Sequence, residues 1–151
     1  MTKNTQIWVD ADACPNVIKE ILFRAANRTQ IITTFVANQL IRVPPSLFIK
    51  KTLVSSGFDV ADNYIVQHMQ EGDLIITADI PLADAVIAKG GVALNPRGEL
   101  YSQHNIKHRL AIRNLSETLR SSGILTGGPM RISNKEIQHF SNALDRFLSA
   151  L

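Results

Sequence analysis

The stretch Ile7-Trp8-Val9-Asp10-Ala11-Asp12-Ala13-Cys14-Pro15 decides the fold of this chain. Its three apolar residues predict a short buried strand, and two carboxylates follow that strand directly. Pro15 suits the first turn of a helix, where its missing N–H leaves no hydrogen bond unmade. A second stretch repeats the design: Leu74-Ile75-Ile76-Thr77-Ala78-Asp79-Ile80-Pro81-Leu82-Ala83-Asp84. The order of strand, aspartate, proline and helix therefore occurs twice.

Apolar strands alternate with amphipathic helices over about residues 1–98, which is typical of a doubly wound parallel sheet. The sequence predicts an α/β fold with a three-layer, mostly parallel sheet. Additional C-terminal helices over about 102–151 are expected to pack on it, and the 151 residues to form a single domain. Strands are predicted over 6–9, 31–37, 52–54, 74–77 and 92–94. Three helices are predicted between them: the first ends near Arg28, the second starts after Asp59, and the third covers 81–89.

The last predicted helix is strongly amphipathic. Ser133-Asn134-Lys135-Glu136 is a capping box. We expect the apolar stripe behind it to pack on the sheet, and its width leaves room for a homodimer contact. The stripe consists of Ile137, Phe140, Leu144, Phe147, Leu148 and Leu151.

Composition sets limits on location and partners. No apolar run is long enough to span a bilayer, and the N-terminus lacks the apolar region of a signal peptide. The single cysteine fits a reducing compartment, so we expect a cytoplasmic protein with no membrane partner. A net charge of +3 permits a nucleic-acid partner without requiring one.

The aspartates that follow the two repeated strands are the main candidates for chemistry. Parallel strands end at the same edge of a sheet, so Asp10, Asp79 and Asp84 are expected to converge there, with Asp12 close by. Crowded carboxylates raise each other's pKa unless a cation neutralises them, and Mg²⁺ or Mn²⁺ held by oxygen ligands is the simplest partner. Turn formation and helix capping are the structural alternatives for these residues.

Asp73 and Cys14 have weaker cases for a role in chemistry. Asp73 begins its strand, so it belongs at the opposite edge of the sheet. Cys14 lies near a helix N-terminus, which lowers the pKa of a thiol. No base lies near it in sequence, however, and a packing role is favoured.

Basic and glycine residues supply candidate phosphate contacts. Arg97, in the turn Asn95-Pro96-Arg97-Gly98, follows the last strand and should lie at the carboxyl edge. Arg42 and Lys50 extend a basic rim, although exposed charges are usually only solvated. Gly127 and Gly128 offer backbone N–H groups to a phosphate, with an ordinary turn as the alternative.

Several motifs together resemble the YaiI/YqxD family of uncharacterised bacterial proteins, over almost the whole chain. They are the two long aspartate motifs quoted above, Val36-Ala37-Asn38-Gln39, Arg42-Val43-Pro44, Asn95-Pro96-Arg97-Gly98 and Thr126-Gly127-Gly128-Pro129. The family is in turn similar to PIN-like nucleases, which hydrolyse RNA or DNA with Mg²⁺ or Mn²⁺ at an acidic pocket.

This resemblance implies a PIN-like fold and a nuclease. Its expected substrate is nucleic acid, with RNA favoured over DNA. It implies that Asp10, Asp62, Asp79 and Asp84 hold the metal. Relatives often carry an acid where this chain has Asn63, so the site has one charge fewer.

Two other functions remain open from the sequence. A phosphohydrolase of the haloacid-dehalogenase type also places Asp-x-Asp after its first strand, with Asp10 as nucleophile and Asp12 as acid–base. Its usual Thr or Val two residues later is replaced by Cys14 here. The third reading is a non-catalytic RNA- or nucleotide-binding module, which Asn63 favours and the other acids oppose.

Overall fold

A computed structural model describes residues 4–57, 60–121 and 131–151. Strands and helices alternate along most of the chain, two strands follow each other once without a helix between them, and the chain ends in two helices. The strands are β1 (Ile7–Asp10), β2 (Thr33–Ala37), β3 (Ile49–Leu53), β4 (Leu74–Ile76) and β5 (Val92–Leu94). The α-helices are α1 (Asn16–Thr29), α2 (Val60–His68), α3 (Ile80–Ala88), α4 (Ile106–Ser121) and α5 (Asn134–Ser149), and a 3₁₀ turn over Ala11–Ala13 joins β1 to α1.

The five strands form one parallel sheet in the order β3-β2-β1-β4-β5. β1 is the central strand, and all four of its residues are buried. One isolated antiparallel bridge, between Leu94 and Leu100, extends β5. The predicted α/β class with a parallel sheet is confirmed.

Helices cover both faces of the sheet, which gives three layers. On one face, α1 and α5 pack against Ile7, Val9 and Phe35. On the other, α2, α3 and α4 pack against Trp8 and Ile75. Alternate residues of β1 therefore enter different cores, as the two-residue period of a strand requires. This burial of both faces explains why β4 and β5, and β1 as far as Val9, have continuous apolar sequences.

The C-terminal stripe packs mainly inward. Phe140 and Leu144 are fully buried beside α1, and Ile137, Phe147 and Leu148 are partly buried in the same core. Leu151 remains 61% exposed. The predicted capping box forms: Ser133 Oγ accepts from the Glu136 N–H at 3.1 Å, and Glu136 Oε1 accepts from the Ser133 N–H at 3.0 Å.

The third strand lies earlier than predicted. The sequence suggested 52–54, whereas β3 is Ile49–Leu53, because β3 pairs along its whole length with β2. Lys50 and Lys51 interrupt the apolar pattern by which a strand is recognised in the sequence, because they are exposed on a strand at the edge of the sheet. Lysine on an edge strand discourages pairing with other chains. Asp59, the predicted cap of the second helix, lies outside the described residues.

No helix among the described residues has the length and apolar character needed to cross a bilayer.

Candidate functional site

Asp10 and Asp79 lie at the carboxyl ends of two neighbouring strands. Asp10 is the last residue of β1, and Asp79 follows β4 and caps α3. From β1, the chain first adds β2 and β3 on one side of the sheet and then adds β4 and β5 on the other side. The order therefore reverses between β1 and β4. In open α/β sheets, the crevice where the order reverses is the usual place for a ligand. The two aspartates therefore border the position that this topology favours for a site.

Thr77 connects the two aspartates. Its hydroxyl donates to Asp10 Oδ2 at 3.0 Å, and its oxygen accepts from the Asp79 backbone N–H at 3.0 Å. Asp79 Oδ1 in turn accepts from the Leu82 N–H at 3.0 Å, which caps α3. Capping and a place in the site are thus combined in Asp79. One oxygen of each carboxylate is committed to these bonds, and the orientation of both groups is fixed.

Asp10 is an unusual carboxyl group because it is only 8% exposed. Burial raises its pKa above the ordinary value, since removal from water disfavours the charged form. The Thr77 hydrogen bond lowers the pKa, and the charges of Asp79 and Asp12 raise it again. The net effect is a raised pKa, and a cation near Asp10 would reverse that balance.

Asp12 is exposed and ties two loops together. Its Oδ2 accepts from the Asn38 N–H at 2.8 Å, which joins the 3₁₀ turn after β1 to the loop after β2. Asp12 is close enough to affect the pKa of Asp10. It therefore belongs to the edge of the site, with one oxygen used for loop structure.

Asp62 and Asp84 lie on the helices α2 and α3. Asp84 is exposed in the second turn of α3. Asp62 lines a small cavity of about 140 Å³ between α2 and α3, beside Asn63 and Pro81. Within the described residues, no three Asp, Glu, His or Cys side chains are grouped to hold a metal ion. The acids near β1 and β4 therefore form an open pair rather than a closed cage.

A larger cleft of about 630 Å³ is lined in part by Ala78, the residue that precedes Asp79. Four chain segments form its walls. They are the segment after β1, the segment between β4 and α3, the turn after β5, and the residues just before α5. We call it the Arg97 cleft, and its lining includes Ala13, Pro15, Ala78, Asn95, Arg97 and Arg131. Two arginines thus border a cavity at the carboxyl edge of the sheet.

Arg97 lies where the sequence predicted and also forms an ion pair. Its Nη1 donates to Glu136 Oε1 at 2.8 Å, with both side chains about one-third exposed. The Ser133 N–H and then Arg97 lower the pKa of the Glu136 carboxyl. Gly98 allows the turn to approach α5, because its φ is +100° and an added Cβ would lie 2.7 Å from the Phe140 nitrogen. Arg97 is therefore held against α5 at the rim of the cleft.

Arg42 and Lys50, the other predicted cations, occupy different places. Arg42 borders a second cleft, of about 380 Å³, between the start of α1 and the loop after β2. We call it the Arg42 cleft, and its lining includes Asn16, Lys19, Glu20, Leu40 and Arg42. Lys50 lies on the outer strand β3 opposite Thr34, with β2 between it and β1. Gly127 and Gly128 lie outside the described residues.

Comparison with known proteins assigns the family. Residues 8–150 match the model of the uncharacterised YaiI/YqxD family. The chain belongs to the YaiI/YqxD family. Curated relatives called UPF0178 proteins include one from Shewanella amazonensis, 65% identical over 97% of this chain and 98% of its own. Others are from Pectobacterium carotovorum (63% identical, 95% of each chain) and Klebsiella pneumoniae (63% identical, 96% of this chain and 95% of its own). No solved structure matches the chain.

Two residues of this YaiI/YqxD protein enter the site without a sequence signal. Arg131 precedes the capping box and belongs to no recognisable motif. Tyr101 is 5% exposed, and its hydroxyl accepts from Asn95 Nδ2 at 2.7 Å. Burial raises the pKa of Tyr101, with Asp79 among the charges that act on it. Tyr101 thus supports Asn95, which lines the Arg97 cleft.

Asp73 and Cys14 have structural roles in the fold. Asp73, at the amino edge, accepts from Trp8 Nε1 at 3.0 Å and from the backbone N–H groups of Gln6 and Gln70. Its exclusion from the site agrees with this position. Burial raises the pKa of the Cys14 thiol to about 12, so the nucleophilic thiolate is scarce at neutral pH.

Proposed function

We propose that the protein is a metal-dependent nuclease that hydrolyses phosphodiester bonds of RNA or DNA. The observation that carries the proposal is the Asp10–Thr77–Asp79 arrangement. It holds two carboxylates at the strand-order reversal, beside a cleft lined by Arg97 and Arg131. An acidic pair next to arginines suits a reaction in which basic groups hold a phosphate while the acids would hold a metal ion close to it.

The donor set fits Mg²⁺ or Mn²⁺. Asp10 and Asp79 would hold the ion, and both offer only oxygen atoms, which hard divalent cations prefer. Mg²⁺ commonly binds through one or two carboxylates plus substrate phosphates, and it keeps several waters. An open pair of carboxylates beside a phosphate-binding cleft meets that requirement. When bound, such an ion lowers the pKa of a water and stabilises charge on the scissile phosphate.

The side chains of the protein would orient the carboxylates and hold the phosphate. Thr77 fixes the Asp10 carboxylate, and the N-terminus of α3 fixes that of Asp79. The raised pKa of Asp10 belongs to the metal-free protein, and a bound cation would favour the charged carboxylate that serves as a ligand. Arg97 and Arg131 would hold phosphate oxygens with charge-assisted hydrogen bonds. Asp12, Asp62 and Asp84 remain predicted members of the acidic set.

An activity assay tests the proposal. The purified protein is incubated with Mg²⁺ or Mn²⁺ and single-stranded RNA, single-stranded DNA or a small phosphomonoester, beside Asp10→Asn. We expect metal-dependent cleavage of the polymer and a loss of roughly 100-fold or more in Asp10→Asn. Asp145→Asn is the matched control, because Asp145 is 62% exposed and pairs with Arg28.

The other outcomes contradict the proposal in distinct ways. Turnover of the phosphomonoester alone would indicate a phosphohydrolase of the haloacid-dehalogenase type. Polymer binding without turnover would indicate a non-catalytic module. Equal cleavage by Asp10→Asn would place the activity elsewhere in the protein or in a contaminant.

A further inference from the structure

The two basic clefts adjoin each other. The Arg97 cleft includes Ala13 and Pro15, and the Arg42 cleft includes the next residue, Asn16. Consecutive residues, Pro15 and Asn16, therefore line different clefts. Both clefts are thus lined in part by the stretch of chain that follows Asp10.

Each cleft brings two cations to the carboxyl edge. Arg97 and Arg131 border one, and Lys19 and Arg42 border the other. Glu20 lines the Arg42 cleft, and Glu136 pairs with Arg97, so neither cleft is purely basic. Arg42 and Arg131 are exposed to solvent. The charge pattern along the edge is thus basic, acidic, basic, with Asp10 and Asp79 in the middle.

The strand order gives the length of this path. The loop that carries Arg42 follows β2, and the turn that carries Arg97 follows β5. In the sheet, β2 and β5 are separated by β1 and β4. At about 4.8 Å per strand spacing, the two ends lie on the order of 14 Å apart. A stacked single strand covers that distance with about four nucleotides, at about 3.4 Å each.

We propose that one single-stranded polynucleotide occupies both clefts at once. Its phosphates on one side of the scissile bond lie in the Arg97 cleft, and those on the other side lie in the Arg42 cleft. This inference rests on the proposed function and adds the form of the substrate. The strand passes through the site, so cleavage is internal, and fragments shorter than about four nucleotides bind poorly.

Binding and product analysis test the path separately. Fluorescence anisotropy in chelator measures binding of labelled oligouridylates of two, four and eight nucleotides over a range of salt concentrations. Four phosphate contacts predict a slope of log affinity against log salt near −2.8 for the octamer. Arg42→Ala and Arg131→Ala should each reduce the slope by about 0.7, and the double variant by about 1.4. In Mg²⁺, the first cuts in an end-labelled octamer should be internal.

Arg28→Ala is the matched control, because Arg28 is exposed in the last turn of α1, at the far end of that helix from Asn16. It should leave the slope unchanged. The path is overturned if only one of the two clefts matters for the octamer. It is equally overturned if Arg28→Ala weakens binding as much as Arg42→Ala does, or if the dinucleotide binds as tightly as the octamer. Two-cleft binding without cleavage would overturn the nuclease and leave the path standing, whereas terminal cleavage would do the reverse.

Discussion

Thr77 satisfies two polar groups at once, so its hydroxyl should matter more than its size suggests. Thr77→Val keeps the shape but leaves buried Asp10 without a donor and the Asp79 N–H without an acceptor. We expect a loss of about 1–3 kcal/mol in the free energy of unfolding, measured by urea denaturation. Thr77→Ser, which keeps the hydroxyl, is the control. An equal loss in both variants would mean that the methyl group, not the hydrogen bonds, stabilises the site.

The raised pKa of Asp10 predicts a particular pH dependence in metal-free protein. Above that pKa the buried carboxylate is charged and destabilises the fold, so Asp10→Asn should melt at a higher temperature than wild type at pH 7–8. As the pH falls through the raised pKa, Asp10 of the wild type binds a proton, and the difference in melting temperature between the two proteins shrinks. Melting curves recorded in chelator from pH 4 to 8 measure this difference. A difference that is constant with pH would contradict the assigned cause.

At the scale of elements, the turn after β5 and helix α5 depend on each other. Gly98→Ala combines an unfavourable φ with a Cβ that would meet the backbone of α5. Gly72→Ala is a matched control, because Gly72 has φ +90° but no atom within 4 Å of the added Cβ. We expect about 1 kcal/mol of destabilisation in the control and a larger loss in Gly98→Ala, by urea denaturation. Equal losses would show that the close packing is not needed.

The elements themselves were largely predictable, because apolar periodicity is a local signal. The repeated strand–aspartate–proline pattern even predicted that Asp10 and Asp79 would share an edge. The sheet order was not predictable, since it depends on packing between distant segments. For the same reason the Arg97–Glu136 ion pair, which joins residues 39 apart, and the approach of Arg131 to the cleft had no sequence signal.

At the scale of the whole molecule, α5 completes one of the two cores. Phe140 and Leu144 are fully buried in the core formed with α1 and the sheet. A chain that ends at Ile132 should therefore expose that core and aggregate, as measured by sedimentation of the soluble fraction. Asp145→Asn in the full chain, which changes only the surface of α5, should remain soluble. A soluble, folded truncated chain would contradict the role given to α5.

The hydrogen bond between Thr77 and Asp10 joins residues 67 positions apart, which has a consequence for how the protein matures. The entropy of closing so long a loop must be overcome before the bond can form, and such long-range pairings slow folding. During synthesis, Asp10 emerges long before Thr77 and Asp79. A nascent chain that has made only β1, β2 and β3 therefore has no acidic pair, and any activity of this edge begins only after β4 inserts beside β1.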